Sequence, residues 1–205
     1  ASSNPPNPPF SRMGYTSDYG ISRNYCNIVN ITDIFSVIGT MPGDLVFCYV
    51  YDLWNNEQLG IYRTENFGIS WIESNSGLPD ISLNAISIDK LFNLYVFIDG
   101  EIYKLNKTNF IWEYFAEYNL NNITYVTYNK NNHFIVINNN KIFISTDGIK
   151  WYPSIEGLEN VNIKIVESDS LGYFYAAGSG GRIYKTLTPH LINQLPSAPE
   201  LSYPI

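Results

Sequence analysis

Ser145-Thr146-Asp147-Gly148-Ile149-Lys150-Trp151 is the stretch on which the reading of this chain turns. A hydroxyl, an aspartate, a glycine and a tryptophan stand there in order, and each answers a local need. The glycine suits a backbone that must take positive φ without steric cost. The aspartate, two residues after the hydroxyl, can accept hydrogen bonds from the amides of its own turn. The tryptophan opens the next strand and can lay a large apolar ring across the neighbouring hairpin. Together they describe a tight connection between two strands.

Three other stretches keep the same order. Thr64-Glu65-Asn66-Phe67-Gly68-Ile69-Ser70-Trp71 has one residue more before its tryptophan. Lys107-Thr108-Asn109-Phe110-Ile111-Trp112 is a worn copy, with Asn109 in the glycine slot. Thr16-Ser17-Asp18-Tyr19-Gly20-Ile21-Ser22-Arg23 ends in arginine where the others have tryptophan. The final positions, 23, 71, 112 and 151, lie 48, 41 and 39 residues apart. A repeat of about 40 residues reads as a propeller blade or a solenoid unit.

The copies at 64–71 and 145–151 resemble the Asp-box, or bacterial neuraminidase repeat, of sialidases, sortilin-type receptors and other propellers. With flanking strands the resemblance covers residues 12–188. It implies a β-propeller in which Thr16, Asp18, Gly20, Thr64, Asn66, Gly68, Trp71, Asn109, Trp112, Ser145, Asp147, Gly148 and Trp151 are structural turn residues. It says little about activity.

Between the turns the hydrophobic pattern alternates in short runs, as strands do. One unit holds 83–89, 94–99, 101–105 and 112–117, and the next holds 123–128, 133–137, 141–145 and 151–155. The last shows 161–166, 173–177 and 182–186 before Pro189 interrupts. The first has 34–39, 45–51, 60–63 and 71–73, with its extra length assigned to a loop at 52–58. The segment 22–29 is a spare outer strand, and the last unit lacks one. The reading is therefore an all-β, small four-bladed β-propeller, closed by the N-terminal strand pairing with 182–186. Closure removes exposed sheet edges. A strand-like run at 13–16 fits poorly, so a fifth partial blade or exchange of strands between subunits is the alternative.

Around the propeller, residues 13–188, lie two Pro-rich arms, 1–12 and 189–205. They are expected to run extended and to bury Phe10, Leu191, Leu195 and Leu201 against other protein surfaces. The chain starts at Ala1, without methionine or a signal-peptide pattern, so removal of either an initiator or a leader is the expectation, and the sequence does not distinguish them.

Composition narrows the partners. With 45% apolar and 16% aromatic residues over 205 positions, the chain can build a substantial core. A net charge of −7 and only 12 basic residues argue against nucleic acid, whose phosphates need clustered Lys and Arg. No apolar run approaches a membrane span. Cys26 and Cys48 read as buried thiols rather than a disulfide.

Chemistry is harder to find. His133 and His190 are the only histidines, and neither has a metal-ligand spacing or a nucleophile elbow nearby. Gly178-Ser179-Gly180-Gly181 precedes a strand rather than a helix, so it is a connector and not a phosphate loop. A sialidase would need three arginines on the substrate carboxylate, whereas Arg12, Arg23, Arg63 and Arg182 show no such clustering. Asp89, Asp99, Glu101, Asp147 and Glu167 read as loop charges and turn caps. No catalytic residue, metal or cofactor is expected. The leading reading is a non-catalytic structural or interaction subunit of a larger assembly, such as a bacteriophage tail or head appendage. It would be present in several copies and reach other subunits through its arms. The alternative is a carbohydrate-binding module or weak glycosidase at a cell or virion surface, with Trp54, Tyr118 and Tyr152 stacking on sugars.

Overall fold

Leu94-Tyr95-Val96-Phe97-Ile98 and Phe134-Ile135-Val136-Ile137 are apolar at every position, the pattern of strands covered on both faces. In the computed structural model both are interior strands. The structure describes residues 14–15, 24–25, 34–40, 45–52, 56–66, 68–129, 131–154, 158 and 160–186. These residues are all-β and form two compact units, one ending at Ser82 and the other beginning at Leu83. The two arms, Trp54 and the turn residues Thr16, Asp18 and Gly20 lie outside the described residues.

The first unit contains a hairpin of β1 (Gly14–Tyr15) and β2 (Asn24–Tyr25). It also holds an antiparallel sheet of β3 (Ile34–Thr40), β4 (Val46–Asp52), β5 (Glu57–Thr64) and β6 (Ile72–Glu73), in that order. The hairpin gives the run at 13–16 a partner within the expected closing segment 22–29, of which the remaining residues lie outside the described ones. Asn24 pairs with Tyr15 and Tyr25 with Gly14. The strand-like run at 13–16 is a nearby antiparallel partner, and joining segments close in sequence costs less chain entropy. The 52–58 loop is corrected. Tyr51 pairs with Gln58 and Asp52 with Glu57, so most of the extra length prolongs the β4–β5 hairpin. Cys48 is buried in β4.

The second unit has three sheets. The first consists of β7 (Ala85–Ile88), β8 (Leu94–Ile98), β9 (Glu101–Asn106) and β10 (Ile111–Glu117). The second consists of β11 (Ile123–Tyr128), β12 (Phe134–Asn138), β13 (Lys141–Ser145) and β14 (Tyr152–Pro153). The third has three strands among the described residues: β15 (Ile163–Ser168), β16 (Phe174–Gly178) and β17 (Ile183–Lys185).

Strand β12 shows how these sheets share a core. Successive side chains point to opposite faces. Phe134 and Val136 therefore pack with Tyr95, Phe97, Tyr118 and Tyr128 on one side. Ile135 and Ile137 pack with Ile163, Val166 and Phe174 on the other. The first strands β7, β11 and β15 lie side by side. Ser87 Oγ donates to the Val126 carbonyl at 3.0 Å, and Ser168 Oγ to the Tyr128 carbonyl at 3.1 Å.

Candidate functional site

Each sheet of the second unit turns back from its first strand through a loop closed by one acidic or amide side chain. Asp89 Oδ1 accepts from the Leu91 and Asn93 amides, both at 2.8 Å. Asn129 Oδ1 accepts from Asn131 and His133, both at 2.9 Å. Asp169 Oδ1 accepts from Leu171 at 2.9 Å and Tyr173 at 3.0 Å. The three closing residues lie 40 residues apart. The residue three further on takes positive φ each time: Phe92 at 59°, Asn132 at 66° and Gly172 at 93°. Asp89 is buried, and Asn132 of the next loop donates to its Oδ2 at 2.9 Å, tying two sheets together. Burial pushes the Asp89 carboxyl up, but the bonds from Asn132, Asn93 and Leu91 outweigh it and hold the group below its ordinary range. His133 is held below its ordinary value by burial.

The turn residues group as follows. Thr64 Oγ1 accepts from the Asn66 amide at 3.3 Å and from Gly68 at 2.9 Å, while Asn66 Oδ1 accepts from Ser70 at 2.9 Å. Ser145 Oγ accepts from Asp147 at 3.3 Å and Gly148 at 2.8 Å. Asp147 Oδ1 accepts from Ile149 and Lys150 at 2.9 Å, so this carboxylate is spent on its own turn. Gly68 and Gly148 have φ of 86° and 78°. A Cβ at Gly148 would also stand 3.1 Å from the Phe115 ring. Trp71 and Trp151 are half-buried just before the outer strands, and Trp151 Nε1 donates to the Gly148 carbonyl at 3.0 Å.

The copy at 107–112 is built otherwise. Positive φ falls on Phe110, at 57°, and not on Asn109. Asn109 Oδ1 accepts from Ile111 at 3.0 Å, and Asn106 Oδ1 accepts from Thr108 at 3.0 Å. Asn106 ends its strand as Thr64 and Ser145 end theirs, and Ile111 pairs with it directly. Trp112, opposite Leu105 and 2% exposed, is therefore a residue within the ladder rather than one crossing the turn.

At the opposite end of the first sheet in this unit is a cleft of about 530 Å³. It is lined by the β8–β9 turn, Asp99 and Gly100, by Asn84, and by the connector 118–122. Its frame is fixed by hydrogen bonds. Asn84 Oδ1 accepts from the Asp99 amide at 2.8 Å and from the Tyr118 hydroxyl at 3.3 Å. The Tyr118 amide donates to the Gly100 carbonyl at 2.7 Å. Asn122 Nδ2 donates to Asn139 Oδ1, and Asn139 Nδ2 to the Asn121 carbonyl, both at 3.2 Å. Asn119 and Asn121 stand exposed, and their side chains bond to no described residue.

Tyr118 is 5% exposed and packs on Phe97, which corrects its reading as a sugar-stacking ring. The alternation that places Ala116 and Tyr118 on one side turns the ring into the core. Tyr152 is half-buried in β14. Of the cleft, the sequence reading singled out Tyr118 alone and missed the amides beside it; three asparagines in five residues are their signal. Arg63 forms an ion pair with Glu65 at 3.0 Å, and Arg182 is exposed in the β16–β17 turn. Among the described residues no group of three or more His, Cys, Asp or Glu could hold a metal ion. No helix among them is long and apolar enough to cross a membrane.

No family model and no curated protein matches the chain. Solved structures do. YCF48 bound to D1 peptide superposes with a TM-score of 0.65 at 14% identity, over 87% of this chain and 58% of that one. YCF48 from Cyanidioschyzon merolae gives 0.58 at 15% identity, over 83% and 59%. The extracellular domain of the hybrid two-component system BT3049 from B. thetaiotaomicron gives 0.63 at 13% identity, over 86% and 25%. This chain thus spans under three fifths of the YCF48 chains it matches. All are β-propellers, and the chain has the β-propeller fold.

Proposed function

We propose that this chain is a non-catalytic binding propeller that holds an extended segment of a protein partner in the cleft at Asn84, Asp99–Gly100 and 118–122. The carrying observation is the pair of exposed, uncommitted carboxamides, Asn119 and Asn121, on a frame already fixed by hydrogen bonds. A carboxamide offers both donors and an acceptor, so it can match the N–H and C=O groups of a main chain. A sugar site would want an exposed aromatic face, and the aromatic ring of this cleft, Tyr118, is buried. A protein segment is therefore favoured over a glycan. The peptide bound to the YCF48 propeller supports the same class of partner.

The turns at 64–71 and 145–151 are Asp-boxes in this reading, with a scaffold role. A virion component acting outside the cell is the particular assembly we favour, supported by the sequence alone. The test is affinity purification of the tagged chain from its native source, wild type against Asn119→Ala/Asn121→Ala. A protein partner retained by the first and lost from the second is expected. Equal retention overturns the cleft reading, and hydrolysis of a sialoside or an aryl glycoside overturns the non-catalytic one.

A further inference from the structure

Glu167 stands on β15 beside two hydroxyls of β11. Tyr125 and Thr127, two residues apart, share a face of their strand. The Tyr125 hydroxyl donates to Glu167 Oε1, and Thr127 Oγ1 donates to Oε2 at 3.1 Å. Both carboxylate oxygens are thereby oriented, and each keeps a lone pair for another donor. Glu167 is nevertheless exposed. Its neighbour on the same face, Ile165, is 44% exposed, a large apolar side chain left beside a fixed charge.

Resting on the binding reading above, we infer that this first-strand face takes a cationic side chain of the partner, a guanidinium or an ammonium, on Glu167. The two oriented oxygens suit a forked donor, the half-buried phenol ring offers its face to a cation, and Ile165 can carry the aliphatic stem of Arg or Lys. Lys164, the adjacent cation on β15, is turned to Asn140 Oδ1 at 3.3 Å. No described Lys or Arg pairs with Glu167. Burial and the bond to Glu167 raise the Tyr125 pKa, so the phenol keeps its proton and serves as a donor rather than a nucleophile. Tyr125 lies three residues beyond Asn122, about 10 Å of extended strand, so one extended segment can reach both places.

The experiment pans a random heptapeptide library against the full chain and measures the enriched peptides by fluorescence anisotropy. Enriched peptides are expected to carry Arg or Lys. Glu167→Gln should weaken the best of them by about fivefold, the upper range for a partly exposed pair. Tyr125→Phe should weaken it less, and Glu113→Gln, on outer strand β10, should leave it unchanged. Peptides without a basic residue, or equal affinity for wild type and Glu167→Gln, overturn the inference while the cleft reading stands. No enriched peptide at all overturns the binding reading and this inference with it.

Discussion

The connection at 145–151 and the one at 106–111 join the third and fourth strands of neighbouring sheets, yet they close by different means. In the first, Ser145 and Asp147 gather four backbone amides, and Gly148 makes the reversal. The slack chain then lets Trp151 lie over its own turn, bonded to the Gly148 carbonyl and packed edge-on against Phe134. In the second, Asn106 and Asn109 hold one amide each, and the Phe110 amide reaches the Asn106 carbonyl at 2.9 Å. That shorter loop feeds directly into β10, so Trp112 enters the ladder and is buried there. The same residue type at the same repeat position is a clasp in one sheet and core in the next. Spacing fixes which strands are joined, and turn chemistry fixes the register.

The sharpest way to break this contrast is to remove the two tryptophans. Trp112→Ala should cost about 3–5 kcal/mol, as for a buried aromatic. Trp151→Ala, half-buried, should cost less, about 2–3 kcal/mol by the same reasoning. Denaturant unfolding of each variant measures this, and equal losses would mean that the two rings do the same job.

The hydroxyl comes next. Ser145→Ala leaves the part-buried Asp147 amide and the buried Gly148 amide without their acceptor and should cost about 1–3 kcal/mol. Asn106→Ala releases the single Thr108 amide in an exposed turn and should cost about 0.5–1 kcal/mol. Reversed magnitudes would contradict the assignment of roles.

Acid should separate the turns by a smaller margin. Burial pushes the Asp147 carboxyl up, but the Lys150 and Ile149 amides and the Ser145 hydroxyl more than offset it and hold the pKa below its ordinary 3.8. Such a group binds fewer protons folded than unfolded. Its contribution is complete above the unfolded value and is lost as pH falls through the folded one, below about pH 4. Asp147→Asn should therefore flatten the acid limb of a stability–pH curve, while Asn109→Ala should leave its shape unchanged. Asp89 and Asp169, lowered in the same way, add to the wild-type limb.

Much of the fold was legible because these turns write themselves into the sequence. A hydroxyl, an Asx residue and a glycine in order mark a strand connection, and alternating apolar runs supply the strands between. The signal failed where one residue type serves several jobs. Asn106 and Asn109 both cap the same turn, so the glycine slot of the worn copy was read one position early, on Asn109 instead of Phe110. The 40-residue spacing of Asp89, Asn129 and Asp169 is more regular than the Asp-box spacing, but Phe92 at positive φ hides the first copy. The cleft was legible only in part: three asparagines in five residues mark polar groups, but a connector gives no sign of whether its amides will be used by its own chain.

The most direct test of a binding end distinct from the turn end is amide hydrogen exchange of the chain with and without its tightest enriched peptide. Slowed exchange in 99–100 and 118–127, with the turns at 106–111 and 145–150 unchanged, is the predicted result. Protection confined to those turns would contradict it.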